Sequence, residues 1–151
     1  MAATSSSSAR TRTRPPSAGG FLLAAGQVVE SPESRARYRV EGLLGQGGFG
    51  QVFRARRLVR STRMPSVVCL KASRHIDGWV REAYFGRLLD GHPRAIRVYE
   101  AFPLATDAGV LYCLVLEYAR HGDLRAFLRR TRAGWRESVA RREIAGVLQV
   151  L

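Results

Sequence analysis

The chain has no asparagine, and only one lysine, Lys71, among its 25 basic residues. It has two cysteines, Cys69 and Cys113, each inside an apolar run, with no CxxC spacing and no histidine pair nearby. That pattern argues against a disulfide framework and against a zinc site, and reads as buried free thiols in a reducing compartment. No apolar run approaches the roughly 20 residues that a membrane-crossing helix needs, so no membrane partner is expected. The opening stretch, MAATSSSSARTRTRPPSAGG, lacks any acidic residue and is rich in Ser, Arg and Pro. Such a composition cannot bury enough apolar surface to fold, so residues 1–25 are expected to form a disordered basic tail. An Arg- and Ser-rich start also fits an organellar transit peptide, but the following FLLAAG is too short for an export signal and Pro-Pro interrupts its approach. The tail reading is preferred, and with it a cytoplasmic location; an organellar one is the alternative.

What remains is enough for one ordinary domain with a core, since 46% of the chain is hydrophobic and 25% charged. A formal charge of +13 could signal a nucleic-acid or acidic partner. The arginines, however, are scattered over every kind of segment and form no stripe interleaved with aromatics, which argues against a nucleic-acid module. A chain that writes arginine wherever a generic positive charge will do leaves Lys71 needing its own explanation, because a compact ammonium and a planar guanidinium are not interchangeable at a tight site.

Hydrophobic alternation predicts a hairpin from YRVEGLLG (38–45) and QVFRARRL (51–58), and SVVCLKA (66–72) reads as a third strand. Residues 77–90 place Trp79, Ala83, Gly86 and Leu89 at helical spacing, with Asp77 as N-cap. A fourth strand is expected over Ile96–Phe102 and a fifth, apolar throughout and therefore central, over 109–118. After a polar connector, LRAFLRR (124–130) and the stretch 136–151 carry helical periodicity, the latter through Val139, Ile144, Val147, Leu148 and Leu151. The fold class is thus α+β: a five-stranded antiparallel sheet with one packed helix, then further helices.

Residues Gly45-Gln46-Gly47-Gly48-Phe49-Gly50-Gln51-Val52 match G-x-G-x-x-G-x-V. A dinucleotide-binding fold needs this string between a strand and a helix; here a strand follows, which excludes that fold and fits a glycine-rich hairpin over phosphates. On these residues, and on VCLK (68–71) and LVLEYARHGDL (114–124), the chain resembles the N-terminal lobe of a bacterial-like serine/threonine-type protein kinase. The likeness runs from about Gly26 to Leu151, with residues 26–118 as the lobe and 119–151 as the hinge and the start of the second lobe.

The resemblance implies ATP as ligand, with Leu44, Gly45, Gln46, Gly47, Gly48, Phe49, Gly50 and Val52 closing over it. It makes Lys71 the residue that pairs with the phosphates, and Glu82 its carboxylate partner; the alternative for Glu82 is a solvated surface glutamate. Eleven positions separate Lys71 from Glu82, fewer than in most kinases, so the helix is expected to lack its first turns. Period-two geometry puts Cys69 on the face of Lys71, as roof or simply as core. Leu116 would guard the back of the adenine pocket, Glu117 and Ala119 would offer backbone groups to the adenine edge, and Asp123 would reach the ribose or cap 124–130.

The same resemblance implies a protein substrate and Mg2+, but the chain contains neither H-R-D-L-x-x-x-N nor D-F-G. HGDL (121–124) follows the hinge directly and has no Asn after it, so it is not a catalytic loop. No catalytic residue is assigned, the magnesium ligands are expected outside this sequence, and the chain is expected to be inactive alone. An apolar final stretch, with Val147, Leu148, Val150 and Leu151, favours a piece of a longer kinase; the alternative is a truncated kinase-like scaffold module.

Overall fold

A computed structural model describes residues 20–130 and 134–150. Most of the expected tail therefore lies outside the described residues.

The elements are β1 (Val28–Glu30), β2 (Arg37–Gly47), β3 (Gly50–Arg57), β4 (Val67–Ser73), α1 (Ile76–Leu88), β5 (Val98–Thr106), β6 (Gly109–Glu117), α2 (Leu124–Arg130) and α3 (Glu137–Leu148). The strands form one antiparallel sheet in the order β1-β2-β3-β4-β6-β5. The expected α+β architecture is present, with six strands instead of five. The added strand, β1, is only three residues long, too short for alternation to announce it; it is held by pairing Val29 with Tyr38 at the sheet edge. The apolar strand expected to be central, β6, lies inside the sheet between β4 and β5. Pro103 sits in β5, an edge strand, where a missing N–H is tolerated.

Alternation gives the sheet two unlike faces. Val68, Leu70 and Ala72 of β4 join Phe53, Ala55, Phe102, Cys113 and Val115 in a core closed to solvent. Leu23, Val29 and Ala36, from the segment that precedes β2, cover this face. Each large aliphatic or aromatic side chain withdrawn in this way contributes about 1.5–3 kcal/mol against leaving it in water. The opposite face carries Lys71 and Cys69 of β4, with Val52 and Arg54 opposite them on β3, and Leu114 and Leu116 opposite them on β6.

Helix α1 lies on the β5–β6 side. Trp79 donates its indole N–H to the Cys113 carbonyl at 2.9 Å and sets its ring 5.4 Å from that of Tyr112. Gly86 meets Val98 so closely that a Cβ there would stand 2.1 Å from a Val98 methyl. The less exposed residues of the helix include Trp79, Glu82, Ala83 and Gly86, the side its spacing predicts. One expectation is corrected: His75, not Asp77, occupies the N-cap, and no side chain caps the helix there. Asp77 sits in the first turn, where a carboxylate favours the positive end of the helix dipole.

Candidate functional site

The glycine hairpin is built by β2 and β3 in the register Gly45↔Val52, Gln46↔Gln51 and Gly47↔Gly50, with irregularities between Val40 and Gly42 and between Leu43 and Gly45. Such bulges increase local twist and bend a strand. Leu44 falls in the second irregularity and is half exposed, while Phe49, at the turn, is 79% exposed. The glycines divide into two kinds. Gly50 has φ +112° and lies against β4, where a Cβ would be 2.3 Å from the Ala72 carbonyl oxygen, so the fold itself demands glycine. At Gly45, Gly47 and Gly48 an added Cβ would meet nothing within 4 Å. The internal packing has no need of those three.

The β3–β4–β6 register puts Lys71 between Val52 and Leu114. Its side chain is 16% exposed and forms an ion pair with Glu82 of α1. Only Arg74 and His75 separate β4 from α1, so the short helix still brings Glu82 back over the strand. Where the sequence left Glu82 as either partner or surface residue, the structure makes it the partner. A cavity of about 330 Å³ adjoins the pair, lined among others by Gly48, Phe49, Lys71, Glu82, Trp79 and Leu114. Its lining mixes both signs of charge, Lys71 and Arg81 with Asp77 and Glu82, beside the bare backbone of Gly48.

The other expected site residues do not line that cavity. Val52, Cys69 and Leu116 share the Lys71 face as neighbours in register. Burial raises the Cys69 thiol above its ordinary range and pushes that of Cys113 up to about 12, so both stay protonated. Glu117 donates its N–H to the Arg97 carbonyl at 2.9 Å, and its carboxylate accepts from the Arg97 N–H at 3.3 Å. Ala119 accepts from the Gly122 N–H at 3.1 Å. Asp123 Oδ1 accepts from the Ala126 N–H at 2.6 Å, which is the capping role open to it from its position before α2.

Sequence reasoning missed two features here. Trp79 and Tyr112 form a wall of the cavity; helical spacing marked Trp79 as inward-facing, while Tyr112 carried no signal of its own. Arg54 pairs with Glu41 and lies 5.7 Å from the Tyr118 ring centroid, joining β2, β3 and the segment after β6. Nothing in the local pattern links these three. Among the described residues no cluster of three or more His, Cys, Asp or Glu side chains is placed to hold a metal ion. No described helix is long and apolar enough to cross a membrane.

Comparison with known proteins matches residues 38–149 to the family described as protein tyrosine and serine/threonine kinase. Among individual relatives, the chain is 39% identical over 102 residues to serine/threonine-protein kinase pkn3 of Myxococcus xanthus, covering 62% of this chain and 17% of that protein. It is 31% identical over 115 residues to serine/threonine-protein kinase tousled-like 2 of Homo sapiens, covering 68% of this chain and 14% of the relative. With serine/threonine-protein kinase PLK4 of Aedes aegypti it shares 33% identity over 118 residues, 74% of this chain and 15% of the other. The chain thus spans less than a fifth of the length of these relatives.

Proposed function

Because the chain belongs to the protein tyrosine and serine/threonine kinase family, we propose that it is the nucleotide-gripping portion of a serine/threonine protein kinase. The observation that carries this reading is the Lys71–Glu82 ion pair beside a glycine hairpin of which three glycines serve no internal packing. In this reading Glu82 holds the Lys71 ammonium in place, and the ammonium pairs with α- and β-phosphate oxygens of ATP. The turn N–H groups of Gly48 and Phe49, outside the β2–β3 ladder, supply further donors, and missing side chains at Gly45, Gly47 and Gly48 let the backbone approach.

The apolar side chains of Leu44, Val52, Cys69 and Leu116 then take the adenine ring, and backbone groups of Glu117 and Ala119 meet its edge. Ala119 keeps an N–H with no partner among the described residues. Asp123 has a second carboxylate oxygen to offer a ribose hydroxyl. ATP, when bound, supplies the phosphoryl group for a protein acceptor. Residues 26–118 act as the first lobe and 119–151 as hinge and entry to the second. With no asparagine and no D-F-G in the sequence, the chain by itself binds without transferring phosphate.

Calorimetric titration of the full chain with ATP, wild type against Lys71→Met, tests the reading. Loss of the phosphate partner should weaken binding by about tenfold or more, equivalent to about 1.4 kcal/mol. Equal affinity in both proteins would remove Lys71 from the site, and no binding in either would favour a scaffold module.

A further inference from the structure

The two sides of the glycine hairpin are contacted by different parts of the chain. Val52 is opposite Lys71, whereas its neighbour Gln51 is opposite Ala72, on the buried-core face. There Gln51 meets the segment leading into β1. Its Oε1 accepts from the Leu22 N–H at 2.7 Å, and its Nε2 reaches the Gly20 carbonyl at 3.4 Å and Gln46 Oε1 at 3.3 Å. One side chain therefore binds β3 to the cross-strand residue of β2 and to a separate stretch of chain 29 positions away in sequence.

That stretch is itself fixed. Leu23 is 2% exposed and belongs to the core. Behind it a turn is closed by the Ala24 N–H to Gln27 Oε1 at 2.8 Å and by the Gln27 N–H to the Ala24 carbonyl at 3.1 Å. Gly26 N–H and Gln27 carbonyl then pair with Val40 of β2, each at 2.8 Å. Residues 20–27 form a strap, anchored at the core, whose near end is joined to the hairpin through Gln51.

We propose that Gln51 is a positioning residue, fastening the glycine hairpin to the 20–27 strap so that its inner side keeps a fixed height over Lys71. It needs no contact with a ligand to do this. A hairpin at a sheet end otherwise has few restraints, and its local opening is governed by such isolated hydrogen bonds. The effect on nucleotide affinity rests on the function proposed above; the mechanical coupling does not.

Amide hydrogen exchange on the full chain separates the two. In Gln51→Ala, exchange at the Leu22 amide and across residues 46–48 should rise about tenfold, with amides of Val68–Ala72 unchanged. Gln51→Glu should restore protection at Leu22 and 46–48, because a carboxylate oxygen still accepts from the Leu22 N–H and the Gln46 amide can turn its NH2 toward the other, while the long Gly20 contact, which needs a donor, is lost. Unchanged exchange at Leu22 and 46–48 in Gln51→Ala would overturn the proposal, as would an equal rise throughout β4, which is general loosening. Should the alanine variant not fold, Gln51→Leu keeps the stem packing and is read in the same way. In titrations Gln51→Ala should weaken ATP about three- to tenfold and leave adenosine within about twofold. A wild-type chain that binds no ATP would end the functional reading and leave the exchange result to decide this one.

Discussion

Gly50 and Ala72 touch through their backbones: a Cβ on Gly50 would stand 2.3 Å from the Ala72 carbonyl oxygen, at a φ of +112°. Gly50→Ala should therefore cost on the order of 2 kcal/mol or more, from backbone strain and displacement of β4. Gly47→Ala, facing open space, should stay within roughly 0.5–1 kcal/mol of wild type. Urea unfolding of both variants checks the contrast. If Gly47→Ala also weakens ATP binding, the second kind of glycine is there for the ligand.

The Lys71–Glu82 pair joins a largely buried ammonium to a carboxylate that is 38% exposed. Solvent screening at Glu82 limits its worth to the fold, so Glu82→Gln should alter stability by less than about 1 kcal/mol. Freeing the ammonium to wander should nevertheless weaken ATP about three- to tenfold, less than Lys71→Met does. A stability loss with unchanged ATP affinity would make the pair purely structural.

Cys113 is a second probe of the core. Burial raises its thiol from an ordinary value of 9.0 to about 12. Above pH 9 the unfolded chain therefore releases a proton that the folded chain retains, and stability falls with rising pH by up to about 1.4 kcal/mol per unit until about pH 12. Below pH 9 this contribution is fully present. Denaturation midpoints from pH 8 to 11, wild type against Cys113→Ala, should show a steeper decline in wild type. Iodoacetamide at pH 8 should label native Cys113 far more slowly than the same thiol in urea.

Asp123 accepts a capping bond from Ala126 through Oδ1, and its other oxygen has no partner among the described residues. Asn is an equally good cap, so Asp123→Asn should leave stability within about 0.5 kcal/mol, while Asp123→Ala should lose about 1 kcal/mol. Reduced ATP affinity in the asparagine variant would reveal a ligand contact on top of the cap. Unaltered affinity would leave Asp123 as a cap alone.

Local pattern made much of this legible. The glycine hairpin, β4 and α1 announced themselves because alternation and helical spacing are short-range properties, and Trp79, Ala83 and Gly86 lie on the less exposed side of α1 as their spacing requires. β1 escaped because three residues cannot display a period, and the Asp77 cap was misplaced because the helix starts earlier, at Ile76, with a His75 N-cap that uses no side-chain hydrogen bond and so carries no capping signal. The links from Gln51 to Leu22 and from Arg54 to Glu41 and Tyr118 join distant segments, so no window of sequence contains them.

Residue chemistry alone determined that a lone lysine would follow a glycine-rich turn on a strand, with a carboxylate in the next helix. Backbone periodicity settles which faces are apolar, and side-chain type settles what a face can bind. Only the tertiary structure decided that Glu82 reaches Lys71, that Gly50 answers to Ala72 while its neighbours face open space, and that a strap from residues 20–27 backs the hairpin. Those outcomes depend on strand register and on the angle at which a helix lies over a sheet, and both are fixed by packing summed over the whole core.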